Sequence, residues 1–216
     1  MIGVIVAMEK EAKHFVDFMT EKEESFEAGK KVYKGFFNDK KCVLIISGIG
    51  KVSSAMASQY IIDKYNPEYL LNFGTTGAID SNMNIGDVYF VKKGVQYDFD
   101  LTEIDDVERG YNQDYDTVFF ECKNQFTNSN KMIGVLATAD KFSNNEDEIK
   151  YLQKIGCNLK DMEGTSICQV ALSNNCPLIM IKGVSDVYGK GLMTSQYIEN
   201  VHIASKKLFE FIKEII

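Results

Sequence analysis

DMEGTSICQVALSNNCPLIMIKGVSDV, residues 161–187, is the stretch that best indicates how this chain folds. After two acidic residues, apolar side chains recur at helical spacing, which predicts a buried helix over residues 165–174. Residues 178–181 form an apolar run that is too short for a helix and typical of a strand buried on both faces. Ligands of open α/β sheets bind at the carboxyl ends of the strands, so Asp186 is predicted to lie in such a crevice.

The rest of the chain repeats this alternation of short apolar runs and amphipathic helices. Helices are predicted to begin near residues 8, 51, 146 and 197, and strands are predicted over residues 2–7, 31–37, 42–46, 69–73, 88–92 and 132–138. Because no linker, low-complexity segment or repeat interrupts the chain, we expect residues 1–216 to form one domain. The expected fold is α/β, a three-layer α/β/α sandwich around a mixed, largely parallel, twisted sheet.

The composition argues against several classes of function. The formal net charge is -7 and Arg109 is the only arginine, whereas a nucleic-acid surface needs a basic patch. No apolar run approaches the roughly 18 residues of a membrane span, and the start lacks the features of a signal peptide. We therefore expect a cytoplasmic protein without nucleic-acid or membrane partners.

The cysteines and histidines offer little material for a metal site. The five cysteines show no Cys-x-x-Cys spacing, and His14 and His202 are the only histidines. Cys42 and Cys168 lie in apolar segments, so we expect reduced core thiols rather than a zinc cluster. Neither a metal ion nor a cofactor is expected.

Three short stretches carry candidate ligand-binding residues. Glu9 and Glu11 follow the first predicted strand. Either both only cap the first helical turn, where the helix dipole favours acidic residues, or one of them points into the crevice. Residues 47–52, SGIGKV, lie at a strand-to-helix junction, where glycines form a tight turn or let the backbone approach a ligand. Residues 74–78, GTTGA, are expected to form a loop after a strand, either facing a ligand or making a plain turn.

Five motifs occur in order along the chain: AMEKE at 7–11, SGIGKV at 47–52, NFGTTG at 72–77, DME at 161–163 and VSD at 184–186. Together they resemble the purine nucleoside phosphorylase superfamily, and most of all its 5'-methylthioadenosine/S-adenosylhomocysteine nucleosidase branch. Each motif alone is weak evidence, whereas five in register make the resemblance specific.

The resemblance implies hydrolysis of the N-glycosidic bond of an adenine thionucleoside, which releases adenine and the 5-thioribose product. Glu11 matches the general base that activates water, and Asp186 matches the general acid that protonates purine N7. The resemblance also implies binding roles: ribose contacts for Met162 and Glu163, stacking on adenine for Phe142, a backbone contact with the base edge for Ser143, a loop beside base and sugar for Thr75 and Gly77, and an apolar 5' pocket for Met8, Ile49 and Tyr197.

The chemistry itself requires two carboxylates in different protonation states. Adenine leaves poorly as an anion, so an acid must protonate it while the sugar becomes oxocarbenium-like and a base activates water. We therefore expect Asp186 to be buried and protonated and Glu11 to be ionised.

Several positions depart from the family pattern and bear on the preferred substrate. Lys182 stands where an arginine is expected, and lysine cannot form a bidentate fork. The other departures are Asp161 for glutamate, Gly164 for alanine, Thr75-Thr76 for Ser-Ala, and Tyr97 for the histidine that usually precedes Asp98.

Three other functions stay open. A purine nucleoside phosphorylase would use phosphate in place of water, but phosphate recognition favours arginine forks and Glu11 would repel a phosphate dianion. A non-catalytic nucleoside-binding protein on the same fold would be expected to lack Glu11 or Asp186. Futalosine hydrolysis would keep the mechanism and change the 5' pocket. The resemblance also implies a homodimer in which the neighbouring subunit completes the 5' pocket, with residues 99–115 as an expected contact.

Overall fold

A computed structural model describes residues 1–122 and 132–216 of the chain. Its strands are β1 (Ile2–Val6), β2 (Thr20–Glu27), β3 (Lys30–Phe37), β4 (Lys40–Ile46), β5 (Tyr69–Ala78), β6 (Val88–Gln96), β7 (Phe120–Glu121), β8 (Ile133–Thr138), β9 (Leu159–Asp161) and β10 (Leu178–Val187). Its α-helices are α1 (Glu9–Phe18), α2 (Lys51–Tyr65), α3 (Glu146–Lys154), α4 (Gly164–Ser173) and α5 (Met193–Ile215).

These strands form one mixed sheet in the order β10-β6-β8-β9-β5-β1-β4-β3-β2, with β7 paired to β6. Strands β4, β1, β5 and β10 are neighbours and run parallel. Strand β10 also pairs with β6, and β9 pairs with both β8 and β5, so β5, β10, β6, β8 and β9 close into a ring. The sheet therefore ends in an antiparallel meander, β2 to β4, on one side and curls onto itself on the other.

The two faces of the sheet bury alternate side chains against different helices. Val4 of β1 belongs to a core that includes Phe15 of α1 and Leu208 of α5. The next residue, Ile5, belongs to a core that includes Ala57 of α2 and, further along, residues of α4. Helices therefore cover both faces, and the predicted three-layer α/β/α fold is confirmed. None of the helices in the described parts of the chain is long and apolar enough to cross a membrane.

Strands β5 and β10 extend beyond the positions where the sequence places their ends. Residues 74–78, expected as a loop, are the last part of β5, so that prediction is wrong. Strand β10 pairs along this stretch, β9 pairs with Gly77 and Ala78, and the Thr75 amide donates to Glu11, so the stretch stays extended despite its glycines. In β10 the register shifts between Val184 and Asp186, and such a bulge re-aims the side chain that follows it.

At the opposite end of the sheet, the predicted hairpin of β3 and β4 is confirmed. The sequence does not predict β2, because its residues are mostly charged and exposed, as is usual for an edge strand. Glu27 at the end of β2 pairs with Lys34 and Lys64 and accepts hydrogen bonds from the hydroxyls of Tyr60 and Tyr65. This carboxylate ties the edge of the sheet to helix α2.

Candidate active site

A cavity of about 260 Å³ opens at the carboxyl-terminal ends of β5, β9 and β10. The segments that follow β1, β4 and β8 and parts of α1 and α5 complete its walls. This is where the crevice of an α/β sheet is expected to lie.

The cavity collects ten of the eleven residues that the sequence proposed for the site: Met8, Glu11, Ile49, Thr75, Gly77, Phe142, Met162, Glu163, Asp186 and Tyr197. Ser143 does not line it; the backbone carbonyl of Ser143 instead accepts a hydrogen bond from the Lys160 ammonium. Four further residues line the cavity that the sequence did not assign to the site: Thr76, Lys160, Asp161 and Ser185.

Glu11 lies in the first turn of α1 and is only 4% exposed. Its Oε1 accepts hydrogen bonds from the Thr75 amide at 2.7 Å and the Thr75 hydroxyl at 2.6 Å. No hydrogen bond from the described residues reaches Oε2. Burial raises the pKa of Glu11, and the Thr75 hydrogen bonds and the charge of Lys182 oppose that rise. One carboxylate oxygen is thus fixed by β5 while the other can accept a hydrogen bond from a bound molecule.

Asp186 follows the bulge in β10 and is 1% exposed. Its Oδ1 accepts a hydrogen bond from the Ser185 hydroxyl at 2.7 Å, and no described residue donates one to Oδ2. Burial raises the pKa of Asp186 and so favours the protonated acid, although Ser185 and the Lys160 charge oppose the shift. Burial raises the pKa values of both Glu11 and Asp186. Two hydrogen-bond donors and the Lys182 charge oppose the rise at Glu11, and one donor and the Lys160 charge oppose it at Asp186.

Glu163 connects the site to the SGIGKV junction. Its Oε1 accepts a hydrogen bond from the Gly50 amide at 2.8 Å, and Gly50 has a φ of 99°, which favours glycine. The Lys51 amide donates in the same way to Asp140 at 2.7 Å. The amides at the start of α2 thus bind carboxylates of the chain itself. Burial, followed by the Asp161 charge, raises the pKa of Glu163 to about 7.

Two of the departures from the family pattern, Lys182 and Asp161, are partners. Lys182 Nζ lies 2.9 Å from Asp161 Oδ2, and both side chains are 2% exposed. Asp161 also accepts hydrogen bonds from the Thr138 hydroxyl at 2.6 Å and the Gly164 amide at 2.8 Å. Although burial opposes it, the charges of Asp161, Glu163 and Glu11 raise the pKa of Lys182. One buried ammonium therefore pairs with Asp161 and also interacts electrostatically with Glu163 and Glu11.

Aromatic residues form the mouth of the cavity. Phe142 is 48% exposed, and its ring centroid lies 6.2 Å from that of Tyr197. The Tyr197 hydroxyl reaches Met8 Sδ at 3.7 Å, which joins α5 to the segment between β1 and α1. This rim offers a flat stacking surface and an apolar wall.

Thr76, Asp161 and Ser185 lie within the quoted motifs but were given no role there, and Lys160 lies outside the motifs. Lys160 and Asp161 belong to the three-residue strand β9, which is too short for a periodic signal. Thr76 and Ser185 are neighbours of residues that the motifs do single out. Within residues 1–122 and 132–216, no group of three or more His, Cys, Asp or Glu side chains is placed to hold a metal ion.

The fold and the cavity define a class of protein. A family model described as "Phosphorylase superfamily" matches residues 1–216, so the chain belongs to that superfamily. Among curated relatives, "5'-methylthioadenosine/S-adenosylhomocysteine nucleosidase" of Buchnera aphidicola is 34% identical and covers 100% of this chain and 97% of the relative. The protein of the same name in Staphylococcus carnosus is 31% identical over 100% of this chain and 99% of its own. The chain therefore belongs to the 5'-methylthioadenosine/S-adenosylhomocysteine nucleosidase family, and the resemblance read from the five motifs is confirmed.

A solved structure extends the comparison to three dimensions. The crystal structure of S-adenosylhomocysteine nucleosidase from Streptococcus pyogenes, in complex with 5-methylthiotubericidin, superimposes with a TM-score of 0.87 at 26% sequence identity. The match covers 98% of this chain and 94% of that chain.

Proposed function

We propose that this protein hydrolyses the N-glycosidic bond of 5'-methylthioadenosine and S-adenosylhomocysteine, releasing adenine and the 5-thioribose product. One observation carries the proposal. Three buried side-chain oxygens in the described residues lack a hydrogen bond, and two of them, Glu11 Oε2 and Asp186 Oδ2, belong to residues that line this one cavity. Buried polar atoms without partners are rare in folded proteins, so these two are suited to bind a substrate. The names of the relatives support the same reaction.

Glu11 is the proposed general base. Thr75 holds one of its oxygens with two hydrogen bonds, so the carboxylate is fixed in the cavity wall while Oε2 has no partner among the described residues. A water held there would lose a proton to Glu11 as it attacks the anomeric carbon. The opposing charge of Lys182 favours the ionised form that this role requires.

Asp186 is the proposed general acid. Burial keeps its carboxyl group protonated more readily than in water, and the Ser185 hydroxyl fixes Oδ1. The proton is then available at Oδ2 for purine N7, so the base leaves neutral. Gly77 makes room for this step, because a Cβ built on it would lie 2.8 Å from Asp186 Oδ2.

The remaining lining residues are proposed to bind the substrate. Glu163, with Met162, would contact the ribose hydroxyls, where a carboxylate also favours the positive charge that develops on the sugar. Phe142 would stack on the base, and the Ser143 backbone would meet its edge. Met8, Ile49 and Tyr197 would contact the 5' substituent.

We also propose that residues 1–216 act as one domain, in the cytoplasm, as a homodimer. Val52 and Met56 lie one turn apart on α2 and are 80% and 43% exposed, and exposed Ile49 at the cavity continues this apolar surface. Exposed apolar patches of this kind mark interaction sites. A second copy bound there would lie next to the 5' pocket, and Phe99 and Ile104, exposed in the acidic stretch, could extend the contact.

Phosphorolysis and non-catalytic binding are less well supported. Arg109 donates to the Tyr97 carbonyl and pairs with Asp100, away from the cavity lining, so it offers no fork to a phosphate. Lys182 is engaged by Asp161. A non-catalytic binding protein would be expected to lack Glu11 or Asp186, and both are present and line the cavity.

Product analysis tests the proposal. The purified protein is incubated with 5'-methylthioadenosine, S-adenosylhomocysteine, adenosine and inosine, with and without phosphate, and the products are separated by chromatography. We expect adenine from the first two substrates at a rate that does not depend on phosphate. Ribose 1-phosphate derivatives formed only with phosphate would show a phosphorylase, and tight binding without adenine release would show a binding protein.

A further inference from the structure

Lys160 is a buried cation that the proposed reaction does not use. It is 7% exposed and lines the cavity, and its ammonium donates a hydrogen bond to the Ser143 carbonyl. The same Nζ lies 5.9 Å from the ring centroid of Phe142. Its positive charge lowers the pKa of Asp186 and so disfavours the protonated form, which the general acid needs. A residue that is both buried and unhelpful to the acid calls for another role in the site.

Strand pairing sets Lys160 beside the general acid. Gly77 of β5 is paired with Asp186 on one side and with Lys160 on the other. A Cβ on Gly77 would lie 2.8 Å from Asp186 Oδ2 and 3.3 Å from Lys160 Cγ. The carboxyl group and the lysine side chain therefore flank the same gap above Gly77. Both belong to the ring of strands, so this spacing is built into the sheet.

The chemistry of purines says what Lys160 would meet. N7 and the substituent on C6 lie on the same edge of a purine ring. Lys160 lies across Gly77 from Asp186 and donates to the Ser143 carbonyl, so if Asp186 reaches N7, Lys160 would face position 6. Adenine carries an amino group there, which donates hydrogen bonds, and an ammonium only donates. The two would compete for the Ser143 carbonyl. A 6-oxopurine carries an acceptor, O6, which complements the ammonium directly.

We propose that Lys160 determines specificity at purine position 6 and that the site also accepts 6-oxopurine 5'-thionucleosides. This inference rests on the proposed function and widens its substrate class. Water adds to the anomeric carbon and gives its proton to Glu11, the bond to N9 breaks, and its electron pair leaves with the base. Asp186 protonates N7, and Lys160 donates to O6, where charge accumulates as the bond breaks.

The adenine substrate is accommodated by the other form of the same side chain. Burial lowers the pKa of Lys160, which makes the neutral amine more accessible than in water. A neutral amine can accept a hydrogen bond from the 6-amino group. Lys160 can thus bind a 6-oxopurine as the ammonium and adenine as the neutral amine, after it has lost a proton.

The test compares 5'-methylthioinosine with 5'-methylthioadenosine as substrates of the wild-type protein and of Lys160→Met. We expect the wild type to release hypoxanthine from the first substrate with a kcat/KM within about tenfold of that for the second. In Lys160→Met we expect the ratio of the two kcat/KM values, inosine over adenosine form, to fall about ten- to hundredfold, the effect of losing a hydrogen bond from a charged donor. Lys160→Arg keeps a charged donor, so its ratio of kcat/KM values should lie closer to that of the wild type than the ratio of Lys160→Met does.

Lys141→Met is the matched control, because Lys141 neighbours Phe142 but pairs with Glu148 and does not line the cavity. Its ratio should equal that of the wild type. Adenine release without hypoxanthine release by the wild type would overturn this inference alone, as would an unchanged ratio in Lys160→Met. Release of neither base would refute the proposed function and the inference together. Should Lys160→Met fail to fold, calorimetry on the wild type decides: comparable affinities for hypoxanthine and adenine support the inference, and a hundredfold preference for adenine refutes it.

Discussion

The buried pair of Lys182 and Asp161 gives the sharpest prediction of stability. Lys182→Met would leave Asp161, Glu163 and Glu11 without their shared cation in a site where the two paired side chains are 2% exposed. Removing one partner of a buried ion pair costs about 3–5 kcal/mol, because the charge that remains is uncompensated. For a chain of this length that corresponds to a melting temperature roughly 6–20 °C lower.

The same substitution should change the pH dependence of activity. Burial raises the pKa values of Glu11 and Glu163, and the Lys182 charge holds them down. Without that charge both pKa values rise, so less Glu11 is ionised at neutral pH. The acidic limb of the profile of kcat/KM against pH should therefore move to higher pH in Lys182→Met.

Urea denaturation and a pH–rate profile measure both effects. Lys182→Arg keeps the charge and should lose less stability, and Lys92→Met, at an exposed position of β6, should change it by no more than about 0.5 kcal/mol. The double substitution Lys182→Met with Asp161→Asn should be less destabilised than the sum of the single changes, because it removes both charges. A Lys182→Met protein within about 1 kcal/mol of the wild type would refute the reasoning.

Three further predictions concern the site and the sheet edge. Glu11→Gln and Asp186→Asn should each lower kcat by about 10²- to 10⁴-fold with little change in KM, as measured by adenine release; a change confined to KM would remove these residues from the proton transfers. Gly77→Ala should lower kcat/KM, because its Cβ would lie 2.8 Å from Asp186 Oδ2, and near-normal kinetics in a folded variant would contradict that crowding. Hydrogen bonds from Lys34, Lys64 and Tyr65 hold the pKa of Glu27 far below its usual value, so its contribution to stability is present above about pH 4.5 and is lost as the pH falls. As the pH falls from 7 to 3, the free energy of unfolding of Glu27→Gln, measured by denaturation, should decrease less than that of the wild type. An equal decrease in both proteins would contradict the proposed role of the hydrogen bonds to Glu27.

The sequence predicted the layers of this fold well, because apolar periodicity reports burial directly. The helix that begins at Lys51 and the hairpin of β3 and β4 both formed as expected. Periodicity failed where tertiary pairing decides the structure. The charged strand β2 has no apolar pattern. Residues 74–78 stay extended because β10 pairs along the whole stretch, β9 pairs with its last two residues and Glu11 accepts a hydrogen bond from the Thr75 amide.

The candidate site shows the same division. Glu11 and Asp186 stand in recognisable motifs, and the cavity includes both. Lys160 lies in a strand of three residues without a motif of its own, and only the pairing of β9 with β5 brings it to Gly77. Lys182 and Asp161 looked like two separate departures, because sequence alone does not reveal that one residue is the partner of the other.

The closed ring of strands constrains how a substrate can reach the cavity. Gly77, Asp186 and Lys160 sit on strands bonded to neighbours on both sides, so none of them can peel away without breaking several hydrogen bonds at once. Breathing motions should therefore be concentrated in the exposed rim around Phe142 and in the first turns of α5, where fewer backbone groups are locked in a ladder. Amide exchange should therefore be slowest around Asp186 and fastest at the aromatic rim. Substrate entry would then depend on motion of the rim, while the strands that carry the proton donor stay rigid.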